Sequence, residues 1–411
     1  VSSYLKNILV MFRGTSLAQI IPLIGMLALV RIYDVEHIGG YAIYLAVANI
    51  IGTTAGARLE TAIVPATITD RPILVDAVKL LFLPLSLIAI TALWGIVSIT
   101  ATTIISVDWT TAVFLLSMSG AILFNNTHYY LNASYNRFHE NSNSRVIISV
   151  LTVTLQILLP QFFTSSEKLL LLSRLIALVL GASYLKIFSY SNLSLWVGFN
   201  SVWGVIKKYK KYVLYYWPSS FLDVLAMNIP VIVIGTLFGQ SFSGYYSVAQ
   251  KSVSIPSATA SNAISHVFFK NFSDQIKEGV LIPSVLLKTW LTLALIGIIP
   301  FSIATIYGEF IAVTLFGQEW LVTGTIIRII SPMALLMFIS SSTSTALLTL
   351  NAQRLILIFS LSQIVYRIGS IYYGFMIDDL IVGILVMVVF HSAQIIFYDA
   401  SILHLLRRRK R

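Results

Sequence analysis

The sequence predicts an all-α polytopic membrane protein with twelve transmembrane helices in two six-helix halves. Three observations carry the prediction: composition, the spacing of apolar segments, and the placement of basic residues. Of 411 residues, 57% are hydrophobic and 10% charged, where a soluble chain carries about 25% charged residues. The absence of cysteine excludes disulfides, thiolate metal sites and cysteine nucleophiles.

A membrane span needs about 20 mainly apolar residues. Such segments run at 8–30, 40–66, 79–100, 111–133, 145–164, 169–190, 213–237, 243–268, 284–305, 322–350, 353–376 and 379–405. The first continues past signal-peptide length with no small-residue cleavage pattern, so it reads as a span. An even number of spans puts both ends of the chain on one side, and the positive-inside rule makes that side cytoplasmic. Inner segments then hold eighteen Lys and Arg residues: Lys6, the Arg71/Lys79 and Arg137/Arg145 pairs, four lysines at 207–211, Lys270, Lys277, Lys288, Arg354 and the tail Arg407–Arg411. Outer loops hold only Arg31 and Lys168. This distribution accounts for most of the net charge of +11 without a nucleic-acid partner, for which no basic, aromatic-interleaved soluble domain exists.

The basic run from Trp203 to Lys211 reads as an interfacial amphipathic helix. It divides the chain into an N-terminal lobe (1–200), a cytoplasmic linker (201–212) and a C-terminal lobe (213–411). A shift of 204 residues supports two related halves. It lays Thr15-Ser16-Leu17-Ala18-Gln19 on Ser219-Ser220-Phe221-Leu222-Asp223, and Gly40-Tyr41 on Gly244-Tyr245. Six spans separate the copies, so they share orientation as a parallel repeat about an axis along the membrane normal. Pro22, Pro218, Pro230 and Pro256 supply candidate kinks in spans 1, 7 and 8.

Six cations lie inside otherwise apolar spans: Arg13, Arg58, Arg174, Lys251, Arg328 and Arg367. Only Glu60 and Asp223 clearly offset them. A charge at membrane depth costs roughly 2.5–3.5 kcal/mol on insertion scales, so it faces a cavity or a partner. An excess of cations points to a wet chamber that receives an anion, and arginine's planar fork suits phosphate oxygens. Arg13, Arg174 and Arg328 also lie within snorkelling reach of an interface. Arg58 and Glu60 are two positions apart, which on a continuous helix keeps them from pairing; Glu60 is then expected to meet a neighbouring cation such as Arg13. Asp223 is either a structural partner of Lys251 or a site whose protonation couples transport to an ion gradient.

No P-loop occurs, the six histidines lack metal-site spacing, and no outer loop has room for a catalytic domain. The chain is expected to move a substrate rather than transform it.

The stretches Arg13-Gly14-Thr15-Ser16-Leu17-Ala18-Gln19-Ile20-Ile21-Pro22, Arg31 to Tyr41 and Ala57-Arg58-Leu59-Glu60-Thr61-Ala62-Ile63-Val64-Pro65 resemble bacterial polysaccharide-transport proteins, the Wzx-type flippases. So do Phe238-Gly239 through Ala249 and Leu315-Phe316-Gly317-Gln318-Glu319-Trp320. The resemblance implies a multidrug/oligosaccharidyl-lipid/polysaccharide superfamily fold with a V-shaped central cavity. It implies movement of a polyprenyl-pyrophosphate-linked oligosaccharide, such as an O-antigen repeat unit, across a bacterial inner membrane, driven by a proton or sodium gradient and without a bound cofactor or metal. It implies membrane lipids as surroundings, and the polymerase and chain-length machinery of the same pathway as partners. Carried onto this chain, Arg13, Arg58, Lys251 and Arg367 become pyrophosphate contacts, and Asp223 and Glu60 coupling or partner residues. Three other readings compete. A drug/cation antiporter of the same superfamily calls for an acidic cavity, a lipid II flippase for two more spans, and a polymerase or glycosyltransferase for a large outer loop.

Overall fold

The computed structural model describes the backbone of residues 2–100, 109–188, 199–255, 283–341 and 353–409, and the side chains of slightly fewer, beginning at Gly14 and ending at Leu406. The side chain of Arg13, Pro256 and the Arg407–Arg411 side chains lie outside the described residues. Helices account for the fold, and no strand occurs among the described residues. We number them α1 Ser2–Ile32, α2 Val35–Thr54, α3 Leu59–Ala62, α4 Asp70–Thr100, α5 Trp109–Ser134, α6 Phe138–Leu158, α7 Glu167–Phe188, α8 Phe199–Lys208 and α9 Trp217–Phe238. They continue with α10 240–255, α11 Pro283–Phe316, α12 Leu321–Ser341, α13 Gln353–Met376 and α14 Leu380–Arg409. Nine helical segments among the described residues are long and apolar enough to cross a membrane, and the second predicted span, 40–66, is broken after Thr54. The protein is a multi-pass membrane protein.

The chain divides into two compact units, Val1–Ser243 and Gly244–Arg411. The first unit takes in α9 together with the predicted 201–212 linker. The reason is packing: Gly235 of α9 lies so close to Ile43 of α2 that a Cβ there would come within 2.4 Å of the Ile43 side chain.

In the first unit α2 is the central element, with Ile43, Ala46, Val47, Ala48 and Ile51 buried. α1 lies on α6, where Gly14 leaves room for Ser142 and Gly25 for Val153. α6 lies on α7 through Ile148 against Gly181, with Ser144 donating to the Gly181 carbonyl at 3.0 Å. Asn132 of α5 donates to the Leu185 carbonyl of α7 at 3.2 Å. Small and polar contacts of this kind replace the hydrophobic drive that lipid does not supply. The amphipathic α8 buries Val202 and Val205 and exposes Trp203, Lys207 and Lys208. A π-helical stretch, Tyr212–Tyr216, then leads into α9.

In the second unit α11 and α12 pack most closely. A Cβ on Gly324 would come within 2.4 Å of the Glu309 Cα and 2.9 Å of the Gly308 carbonyl. The opposite side of α11 is a row of exposed apolar residues, Leu291, Leu295, Ile299, Ile306 and Phe310, suited to lipid. The Phe316-Gly317 pair ends α11 in a tight turn with Gly317 at φ 109°, as Phe238-Gly239 ends α9 with Gly239 at φ 103°. A side chain at either glycine would meet no neighbour, so it is the left-handed backbone that selects glycine. Beyond the turn Trp320 is fully buried, its ring 5.7 Å from Tyr245.

Candidate functional site

Three groups of charged and polar residues lie among these helices, two in the first unit and one in the second.

The first forms where the second predicted span ceases to be helical. α2 stops at Thr54, and Ala57 and Arg58 take left-handed backbone conformations, φ 49° and 58°. Such conformations cost roughly 1–2 kcal/mol per non-glycine residue. They turn the chain so that Arg58 Nη1 lies 3.4 Å from Glu60 Oε1. The expectation that these residues do not pair is therefore corrected: it assumed a continuous helix, and the left-handed pair breaks it. Glu60 is fully buried and the Arg58 side chain is 13% exposed. The guanidinium also lies 5.5 Å from the centre of the Tyr216 ring. Trp217 Nε1 donates to the Thr54 carbonyl at 2.9 Å, docking α9 on the broken end of α2. A Cβ at Gly56 would come 2.9 Å from both Glu60 Oε2 and Leu123 Cδ1, so a larger residue would press on the buried carboxylate. Arg58 Nε and Glu60 Oε2 are buried without hydrogen-bond partners. Beside this site Lys208 and Tyr209 both donate to Asp70 Oδ2. The hydrogen bond to Asp70 raises the Lys208 pKa above the ordinary lysine value.

The second group is a cavity of about 350 Å³ within the first unit. Arg145 of α6 and Arg174 of α7 line it with Asn49, Asn125, Asn126 and Ser149. Arg145 Nη1 donates to Thr15 Oγ1 at 2.9 Å, and its guanidinium lies 4.5 Å from the Tyr129 ring centre. Arg174 Nη1 donates to Thr152 Oγ1 at 3.1 Å. No carboxylate pairs with either arginine among the described residues. The side-chain nitrogen of Asn125 is buried with no partner. Arg145, predicted to be a topological charge at the inner end of its span, thus faces a cavity, because α6 begins at Phe138 and carries it two turns into the helix. Arg174 faces the same cavity, and its guanidinium is held by Thr152. The signal that could have found them is the spacing of Asn141, Arg145, Ser149, Thr152 and Gln156, a polar face at helical period on α6.

The third group is in the second unit. Tyr366 donates to Gln394 Oε1 at 2.9 Å and contacts His391 Nδ1. Gln394 Nε2 in turn donates to Ser362 and to the Phe359 carbonyl. Arg367 hydrogen-bonds Tyr366 and is close enough to Tyr246 and His391 to act on them electrostatically. Arg328 pairs with Glu309 at 2.7 Å, and Thr325 donates to the same carboxylate oxygen. Glu309 is thus an offsetting acid that the sequence reading placed outside its span, because α11 runs on to Phe316. Lys251 is half-buried on α10, and Asp223 lies on the exposed side of α9. No group of three or more metal-ligating side chains occurs among the described residues.

Residues 28–323 match the profile of a family described as polysaccharide biosynthesis protein. The inward closed conformation of lipid II flippase MurJ is similar with TM-score 0.70 and 14% identity over 96% of this chain and 87% of that one. A MOP superfamily transporter from Pyrococcus furiosus, described as having a binding pocket of reverse polarity, gives 0.63 and 13% over 98% and 96%. A multidrug resistance MATE family transporter in an outward-facing conformation gives 0.56 and 14% over 98% and 96%. A search of curated protein sequences gives no match. At these identities the structures establish a shared fold, that of MOP superfamily transporters.

Proposed function

Because the chain belongs to the polysaccharide biosynthesis protein family, whose profile covers most of its length, we propose that it carries a polyprenyl-pyrophosphate-linked oligosaccharide from the inner to the outer leaflet of a bacterial inner membrane, with both termini cytoplasmic. The family and the fold make it a membrane transporter rather than an enzyme. One observation carries the finer reading. Arg145 and Arg174 line one cavity inside a membrane-spanning unit, Arg145 held by a hydroxyl and a ring and Arg174 by a hydroxyl, with no carboxylate paired to either among the described residues. Cations at membrane depth without a carboxylate partner suit an anionic cargo; a cation exporter would need the opposite sign.

The proposed pyrophosphate contacts are Arg13 and Arg58 in the first unit and Lys251 and Arg367 in the second. Arg58 enters this set by exchanging Glu60 for a phosphate oxygen, which makes cargo binding and release of the Glu60 carboxylate one event. Glu60 and Asp223 are the proposed sites at which a proton or sodium gradient acts. An O-antigen or similar surface repeat unit is the proposed saccharide, and the polymerase and chain-length proteins of its pathway are the proposed partners.

Complementation of flippase-null cells tests the reading. The intact chain is expected to restore surface glycan, and its Arg145→Ala/Arg174→Ala double variant to accumulate lipid-linked repeat units on the cytoplasmic leaflet. Full glycan assembly by the double variant, at normal membrane levels, would remove the cavity from the transport route.

A further inference from the structure

The α6–α7 cavity has a chemistry that a bare phosphate does not need. Each guanidinium carries five N–H donors, and each gives one hydrogen bond to a hydroxyl. Three carboxamides, Asn49, Asn125 and Asn126, and the Ser149 hydroxyl share the lining. Carboxamides donate and accept at once, which matches sugar hydroxyls and is wasted on a fully ionised anion. Asn125 has a buried nitrogen with nothing to donate to.

The spacing argues the same way. Thr152, which holds Arg174, lies seven residues beyond Arg145 on α6, roughly 10 Å of rise. Ser149 lies between them on the same face. The α6 residues that line or anchor the cavity are thus spread over about two turns of helix, and a sugar ring offers polar groups along its length where a single phosphate offers one centre. The volume of about 350 Å³ falls at the small end of ligand pockets, roughly 300–1,000 Å³. No carboxylate pairs with either arginine among the described residues, so a negative charge on the ring meets a guanidinium that is not already neutralised.

From this we infer that the cavity within the first unit is a subsite for a carboxylated sugar, a hexuronate or its like, of the transported saccharide. The carboxylate takes the fork of one arginine, the second arginine and the carboxamides take ring hydroxyls, and Tyr129 holds the Arg145 guanidinium in place from behind. The inference rests on the transport reading above, and it narrows the cargo to saccharides that contain an acidic residue.

Titration calorimetry on the purified full chain in lipid nanodiscs tests it, with glucuronate, glucose, inorganic phosphate and sodium chloride as probes. Glucuronate is expected to bind, and glucose, phosphate and chloride to bind at least tenfold more weakly. Arg174→Gln should weaken glucuronate at least tenfold. Arg145→Lys keeps the charge but loses the fork, and should also weaken it, guarding against an Arg174 variant that fails to fold. Equal affinity for glucose, phosphate tighter than glucuronate, or glucuronate binding untouched by both variants would overturn the inference. The arms separate the two readings. Glucuronate binding by a chain that fails to restore surface glycan in flippase-null cells sinks the transport reading and leaves the subsite. Restored surface glycan without glucuronate binding sinks the subsite and leaves the transport reading.

Discussion

At the end of α2, Arg58 faces a carboxylate with no exposure to solvent. Between α6 and α7, Arg145 and Arg174 face hydroxyls, amides and a tyrosine ring. The three side chains are the same and all lie in or beside membrane helices, yet their charges are handled differently. Arg58 is neutralised on the spot by a residue two positions away, and the backbone there is strained to allow it. Arg145 and Arg174 are positioned but not neutralised. An arginine in a membrane protein therefore declares its role through what stands beside it, more than through its depth.

Substitutions at the two regions should separate these roles, the largest effect first. Glu60→Ala leaves a buried guanidinium unpaired, a loss of roughly 3–5 kcal/mol, seen as a lower unfolding midpoint in detergent. Replacing the pair together, Arg58→Met with Glu60→Leu, should recover most of that loss. Arg174→Met should cost far less stability while removing complementation; equal destabilisation by Arg174→Met and Glu60→Ala would erase the contrast. Gly56→Ala drives a methyl against Glu60 Oε2 and should cost about 1–3 kcal/mol, measured by the same unfolding assay. Ala57→Gly relieves a left-handed backbone worth about 1–2 kcal/mol but adds chain entropy of about 0.5–1 kcal/mol. A small gain in stability is expected, and a clear loss would mean that the Ala57 methyl contributes more than its conformation costs.

The Asp70–Lys208 clasp gives the smallest effect, because its lysine is exposed and its field is screened by salt. Asp70 raises the pKa of the lysine in the folded state. The contribution is therefore complete below the unfolded lysine value and fades as the pH rises through the higher folded value. Lys208→Met should remove that alkaline dependence, and a steeper loss of stability with pH in the variant would contradict the assignment.

Nine of the twelve predicted spans meet helices long and apolar enough to cross a membrane among the described residues, and they were legible because hydropathy alone reports membrane helices. The polar end of α6 was not, since a window that starts at Arg145 discards the turns from Phe138 that carry the arginine into the helix. Glu309 was missed in the same way at the far end of α11. The Arg58–Glu60 pair was hidden for another reason: helical spacing rules hold only where the helix continues, and nothing in Ala57 or Arg58 announces a left-handed backbone. Gly56 was the one local hint, and its meaning depends on where the Glu60 carboxylate lies.

The crossing of α11 and α12 sets a mechanical condition on any cycle of the protein. Backbone meets backbone at Gly308 and Gly324, with less space than one methyl group between the helices, and the Arg328–Glu309 bridge straddles the same level. Sliding or rolling at this level would drive backbone into backbone, so the two helices are tied there, and any bending of the pair falls away from the crossing, where Pro300 and Pro332 interrupt them.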